Sequence, residues 1–196
     1  MNDTGAPLSA GFLALPQERR WPYATMTIFA LSGGGFIVQT LWPEAISLLQ
    51  WNAALVAQGE IWRLLTVILV HTNGVPHIAL NLAILAILGP YVEQRWSRWA
   101  WAAAFLVGVF AGEAAGVFWL TEGGGNSVGL GGLFGLGLVG LLADGSAPRS
   151  ARLAIPIASF VIALIVTVLS DIHGPPIFAG AVVGLVALRM GARRHG

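Results

Sequence analysis

The chain has 196 residues, of which 56% are hydrophobic and only 10% are charged, where a soluble domain carries about 25%. That composition excludes an ordinary soluble globular domain and points to a chain whose length lies mostly in a bilayer. Cysteine is absent, which excludes disulfides, thiolate metal sites and cysteine nucleophiles. The net charge of +1 is too small to draw a nucleic acid partner.

Residues 1–21 lack the basic start and apolar run of a cleaved signal, and are expected to form a cytoplasmic tail. The first apolar segment, 22–42, is long enough to cross a hydrocarbon core of about 30 Å. Its three adjacent glycines, Gly33, Gly34 and Gly35, predict a kink or a close helix approach. Residues 43–61 are too polar to span and read as an interfacial loop with short amphipathic helices. Tryptophans at 42, 51 and 62 suit the headgroup level.

After a short apolar run, 62–70, and an expected turn at 71–76, a second span covers 77–92. It opens with His77 and Asn81 one helical turn apart, and Glu93, Arg95 and Arg98 close it. Glu93 and Arg95 are expected to pair at the interface. A third span covers 99–120, with Gly108, Gly112 and Gly116 making one smooth face for helix contact. Glu113 lies within it, and a carboxyl at that depth points to function or to a buried partner.

The stretch Gly123–Gly140, half of it glycine, reads as a loop to Asn126 followed by a closely packed fourth span. Glycine costs about 1 kcal/mol per helical residue against alanine, so only contact on every side repays it. A polar loop with Arg149 and Arg152 precedes a fifth span, 153–169. A tight loop, 171–176, leads to a sixth, 177–190, with Gly180 and Gly184 at four-residue spacing.

Six spans put both termini on one side. Every cation is an arginine, and all but Arg63 then fall on that side, as the positive-inside rule expects of the cytoplasm. The expected fold is an all-α integral membrane bundle of six transmembrane helices. The expected organisation is a tail at 1–21, a membrane domain at 22–191 and a basic tail at 192–196, in a bacterial inner (plasma) membrane.

These motifs resemble the rhomboid family of intramembrane serine proteases. The resemblance is carried by Trp62-Arg63, by His71 with His77-x-x-x-Asn81, by Gly89-x-x-x-Glu93-x-Arg95, and by Gly180-x-x-x-Gly184. The two histidines stand one residue further apart than is usual in the family. The resemblance implies a nucleophilic serine in a G-x-S-G motif opening the fourth span, and a base in an H-x-x-G-x-x-x-G motif on the sixth. It implies oxyanion-side or client-contact roles for His77 and Asn81.

The chain departs at both critical positions. Gly131, or Leu130 if Phe134-Gly135 is the anchor, takes the serine's place, and Ile177 takes the histidine's. This points to a member without the usual dyad, which binds transmembrane client or partner proteins without cleaving them. Two alternatives stay open. Ser127 and His173 each lie about one turn earlier, and a displaced dyad there would make an active protease. The blander reading makes Ser127 a helix N-cap and His173 a loop residue. The third possibility is a structural subunit of a larger membrane complex, with Glu113 or the Gly108–Gly116 face as its contact. No cofactor is implied. His71 and His77 have the wrong spacing for a metal pair on one helix face.

Overall fold

The computed structural model describes residues 21–120 and 122–192. The N-terminal tail other than Trp21, and the arginines at 193 and 194, lie outside the described residues. Four helices are long and apolar enough to cross a membrane: α1 (Tyr23–Leu41), α5 (Gly74–Arg95), α6 (Arg98–Trp119) and α8 (Arg149–Val168). Between α1 and α5 lie the short helices α2 (Ala45–Leu49), α3 (Ala53–Ala57) and α4 (Arg63–Thr66), then a 3-10 turn at Val67–Leu69. Two shorter apolar helices, α7 (Ser127–Ala143) and α9 (Gly174–Ala192), complete the bundle. Outward faces are apolar: Ile87 is 77% exposed and Phe118 82%. Water would not tolerate such a surface over whole helices, and lipid does. The chain is a multi-pass integral membrane protein.

α7 is the centre of the bundle, packed on α6 and α9. Its glycines make this possible. A Cβ on Gly132 would strike the Ala104 carbonyl of α6, and one on Gly180 of α9 would strike the Gly132 carbonyl. On α6, Gly108 and Gly112 meet Val128, and Gly116 meets the Trp51 ring. The expected glycine face is therefore a contact face. α6 runs antiparallel to α7, since Gly112 meets Val128 while Gly108 meets Gly132. α9 runs parallel to α7, since Gly131 faces Pro176 and Gly184 faces Val139. Trp101, Phe105, Leu133 and Leu136 fill the remaining core.

α1 is tied on from the side by polar contacts. Glu93 accepts hydrogen bonds from the backbone N–H groups of Ala24 and Thr25 and from the Thr25 hydroxyl, capping α1 from α5. Arg98 stands 3.8 Å from Glu93. The Arg95 guanidinium lies over the Tyr91 ring, 3.7 Å from its centroid. Of the three glycines in α1, Gly35 makes the close approach, against Leu69, while Gly33 and Gly34 face open space.

Several boundaries differ from expectation. α5 begins at Gly74, so the expected turn is partly helix, with Pro76 in the first turn where its missing N–H does no harm. α9 likewise begins at Gly174, and Pro175 and Pro176 sit in its first turn. α8 begins at Arg149, which places Arg149 and Arg152 on a helix rather than in a loop. A two-residue antiparallel ladder also forms, pairing Trp51 with Gly123 and Asn52 with Glu122.

The interfacial loop is built on Arg63, whose side chain is almost fully buried. It donates to the Ser47 and Gln50 carbonyls and pairs with Glu60 at 2.6 Å. The neighbouring Trp62 indole N–H donates to the Leu48 carbonyl.

Candidate active site

Parallel packing of α7 and α9 brings their N-terminal ends to one level. Ser127, the first residue of α7, and His173, the residue before α9, meet there. The Ser127 Oγ lies 3.0 Å from His173 Nε2. The His173 Nδ1 lies 2.7 Å from Asp171 Oδ1, which also accepts from the His173 backbone N–H at 2.8 Å. A carboxylate beside Nδ1 requires the proton there. Nε2 is then the acceptor, and the Ser127 hydroxyl is the donor. The side chains of His173 and Asp171 are about half exposed, at 51% and 50%. Burial pushes the Asp171 carboxyl up, but its hydrogen bonds to His173 outweigh this and hold it below the ordinary carboxylate value.

Local structure fixes each partner. The N-cap position of α7 is Asn126, and its side chain caps nothing. It donates instead to the Ser32 hydroxyl of α1, which donates onward to the Ile68 carbonyl. The expectation that Ser127 caps the helix is therefore corrected: its described partner is the imidazole. Gly125 has φ +140° and donates its N–H to the Val67 carbonyl. A Cβ there would lie 2.8 Å from His77 Nε2 and 3.5 Å from Asn81 Nδ2, so the position requires glycine on both counts. On the other side, Gly174 packs on Thr167 and the Ala163 carbonyl of α8, which leaves no room for a side chain. Ser170, in the left-handed region with φ 64°, turns the chain out of α8 toward Asp171.

His77 and Asn81 thus stand beside Gly125, two residues before Ser127. Asn81 is buried, and its Nδ2 has no hydrogen-bond partner. Next to them, His71 is fully buried, its ring 5.2 Å from that of His77. Gln39 of α1 clamps the His71 backbone at both ends, accepting from its N–H and donating to its carbonyl. Burial, with His77 nearby, lowers the His71 pKa from its ordinary 6.5 to about 4, while Asn126 pulls the other way.

A cavity of about 370 Å³ opens beside the pair, with Ser127, His173 and His77 in its wall. Glu113 and Gly112 of α6 line it too. Glu113 is 6% exposed, and neither carboxyl oxygen has a hydrogen-bond partner. Among the described residues, no group of three or more His, Cys, Asp or Glu side chains is placed to hold a metal ion.

Gly131 and Ile177, the second reached by counting back from the Gly180-x-x-x-Gly184 pair, lie one turn deeper. A Cβ on Gly131 would meet Pro176 Cβ at 3.0 Å and Ile177 Cγ1 at 3.7 Å. Gly131 and Ile177 are therefore neighbours, and neither carries a reactive group. Reasoning from the sequence passed over Asp171, although Asp171-x-His173 was there to be read. It also passed over Gly125-Asn126-Ser127, which reproduces the first three positions of G-x-S-G, with Val128 at the fourth.

At one end of this bundle of apolar helices, a serine, a histidine and an aspartate stand in hydrogen-bonding sequence. The particular family follows from comparison: the Rhomboid domain model matches residues 58–193, more than half of the chain. The chain belongs to the rhomboid family. No curated protein matches it.

Proposed function

We propose that the chain is an intramembrane serine protease whose nucleophile is Ser127, with His173 as its base. The observation that carries this is the 3.0 Å separation of Ser127 Oγ and His173 Nε2. A serine hydroxyl is a weak nucleophile unless a base stands within hydrogen-bond reach. In the proposed reaction, Oγ attacks the scissile carbonyl carbon as its proton passes to Nε2. The tetrahedral intermediate collapses, the C–N bond breaks, and Nε2 gives that proton to the leaving amine. Water then attacks the acyl-enzyme, His173 again taking and returning the proton. Asp171 holds the imidazole in the required tautomer and stabilises its charged form. The unpartnered Asn81 Nδ2 and the His77 ring supply donors for the oxyanion.

We further propose six membrane crossings with both termini on the cytoplasmic side of a bacterial plasma membrane. Among the described residues, Arg95, Arg98, Arg149, Arg152 and Arg189 gather at one end of the helices, and Arg63 lies toward the other. α7, with 17 residues, is about 25 Å long against a hydrocarbon core of about 30 Å, so Ser127 at its start then lies a little below the outer surface.

A second reading is a client-binding member that cleaves nothing. It is favoured if the nucleophile and base positions are read at Gly131 and Ile177, neither of which carries a reactive group. We place it second because the shifted pair is already within hydrogen-bond distance. The test is fluorophosphonate labelling of the full chain in detergent. Labelling of the wild type that vanishes in Ser127→Ala is the expected result. A wild type that stays unlabelled while folded overturns the protease reading and leaves the client binder.

A further inference from the structure

We propose that His71 is a positioning residue for the oxyanion side of the site: through one buried water it holds His77 in the tautomer whose Nε2–H points at the reacting carbonyl. This rests on the serine protease reading and adds to it a residue that touches no substrate.

The hydrogen bonds behind Ser127 run in one direction. The Ser32 hydroxyl spends its proton on the Ile68 carbonyl, so its oxygen accepts from Asn126 at 2.9 Å. The Asn126 atom facing Ser32 is therefore Nδ2, and Oδ1 is left for another donor. That oxygen is sealed from solvent, as are both ring nitrogens of His71. Asn126 pulls His71 toward its charged form, as an acceptor beside the ring does. Burial outweighs that pull and keeps His71 neutral at pH 7, with one N–H and one lone pair. The N–H is the donor that Asn126 Oδ1 needs, which leaves the other His71 nitrogen an acceptor. α1 seats the ring from one face: Phe36 stands edge-on to it, 6.3 Å between ring centres, and Gln39 clamps its backbone.

His77 supplies the other half. Its Nε2 is turned toward Gly125, where a Cβ would lie 2.8 Å away, and its Nδ1 is sealed with no partner among the described residues. An imidazole that donates from Nε2 carries its lone pair on Nδ1. Two adjacent rings, 5.2 Å apart and inclined at 70°, thus each present a buried acceptor. One water has two O–H groups, one for each ring, and its two bonds of about 2.8 Å span such a gap. Were His77 to carry its proton on Nδ1, one O–H of that water would face another proton and stay unpaired in a sealed site. Nε2 would then turn a lone pair toward the oxyanion, where an N–H is required.

The test uses the full chain in detergent at pH 7.5, with isotope-labelled histidine. The chain has four histidines, few enough to assign by single substitution. Proton–nitrogen correlation spectra then read which nitrogen of His77 carries the proton. The wild type and Ser127→Ala are expected to show the Nε2–H tautomer. His71→Leu removes one acceptor from the water, and His77 should become a mixture of tautomers. On a transmembrane reporter, kcat per fluorophosphonate-reactive serine should fall roughly 10-fold with KM nearly unchanged. His71→Gln carries both a donor and an acceptor, so it should restore the tautomer and return kcat to within about threefold of the wild type. A proton on Nδ1 of wild-type His77 overturns the inference, leaves the protease reading intact, and needs no variant to fold. Equal loss of kcat in His71→Leu and His71→Gln with the tautomer unmoved also overturns it, since a purely structural role gives that pattern. A folded wild type that resists fluorophosphonate, with His77 held as Nε2–H and released in His71→Leu, overturns the protease reading and leaves the hold of His71 on His77.

Discussion

The seam between α7 and α9 has two levels one helical turn apart, and they differ in kind. At the upper level, Ser127 and His173 meet through a hydrogen bond beside an open cavity. At the lower level, Gly131 faces Pro176 and Ile177 in van der Waals contact, with nothing to donate or accept a proton. Below that the backbones nearly touch: Gly135 packs on the Ile177 carbonyl, and Gly180 on the Gly132 carbonyl. Because the two helices run parallel, any partners displaced by the same turn stay side by side. Packing thus fixes the register of the helices without fixing the level at which a dyad stands.

The largest effect should come from the upper level. His173→Ala leaves Ser127 without a base, and fluorophosphonate labelling should fall by about 10³-fold or more, with a melting temperature close to that of the wild type. Unchanged labelling would mean that the serine draws its activation from elsewhere. Asp171→Asn should slow the same labelling by roughly 10- to 100-fold. That is less than for a buried aspartate, because water reaches this carboxylate and screens it. A change below twofold would demote Asp171 to a loop residue.

The two levels were not equally legible in the sequence. Spans, the arginine asymmetry and the α6 glycine face follow from hydropathy, charge and spacing, and their physical causes are local. Gly180 and Gly184 are equally readable, but they report packing, and counting back from them leads to Ile177 rather than His173. Asp171 and His173 are only two residues apart and their pairing could be read, but the placing of that loop depends on the turn at Ser170 and the seat of Gly174 on α8, which leave no periodic trace. The Trp51–Asn52 ladder with Glu122–Gly123 is too short to show alternation. Ser32 could not be linked to Asn126 before α1 was docked.

Effects on stability should mark the deeper seam. Gly180→Ala drives a methyl into the backbone of α7, which cannot give as a side chain can. A loss of about 1–3 kcal/mol is expected from unfolding in detergent. A neutral result would mean that the helices separate freely. A smaller, pH-dependent effect should come from His71, behind the upper level. Folded His71 titrates near 4 and the unfolded residue near 6.5, so between these values the unfolded state binds more protons. The stabilising contribution is complete above 6.5 and is lost as pH falls toward 4. Melting temperatures at pH 7.5 and pH 5 should therefore diverge more in the wild type than in His71→Leu. An equal drop in both would place the acid sensitivity elsewhere.

The smallest effect tests the comparison most directly. Gly131→Ala adds a methyl that meets Pro176 Cβ at 3.0 Å, with the His173 backbone carbonyl at 3.6 Å and Ile177 at 3.7 Å. The one tight contact is with a side-chain carbon, the His173 carbonyl lies at ordinary van der Waals distance, and alanine favours the helix over glycine by about 1 kcal/mol. The two terms nearly cancel, so stability should change by less than about 1 kcal/mol. Labelling at Ser127 should stay within about threefold of the wild type, since a stability-neutral change that reaches no reacting group shifts the barrier by well under 1.4 kcal/mol. If Gly131→Ala instead abolishes labelling while the protein melts normally, the lower level is part of the chemistry. The serine one turn above it would then need another explanation.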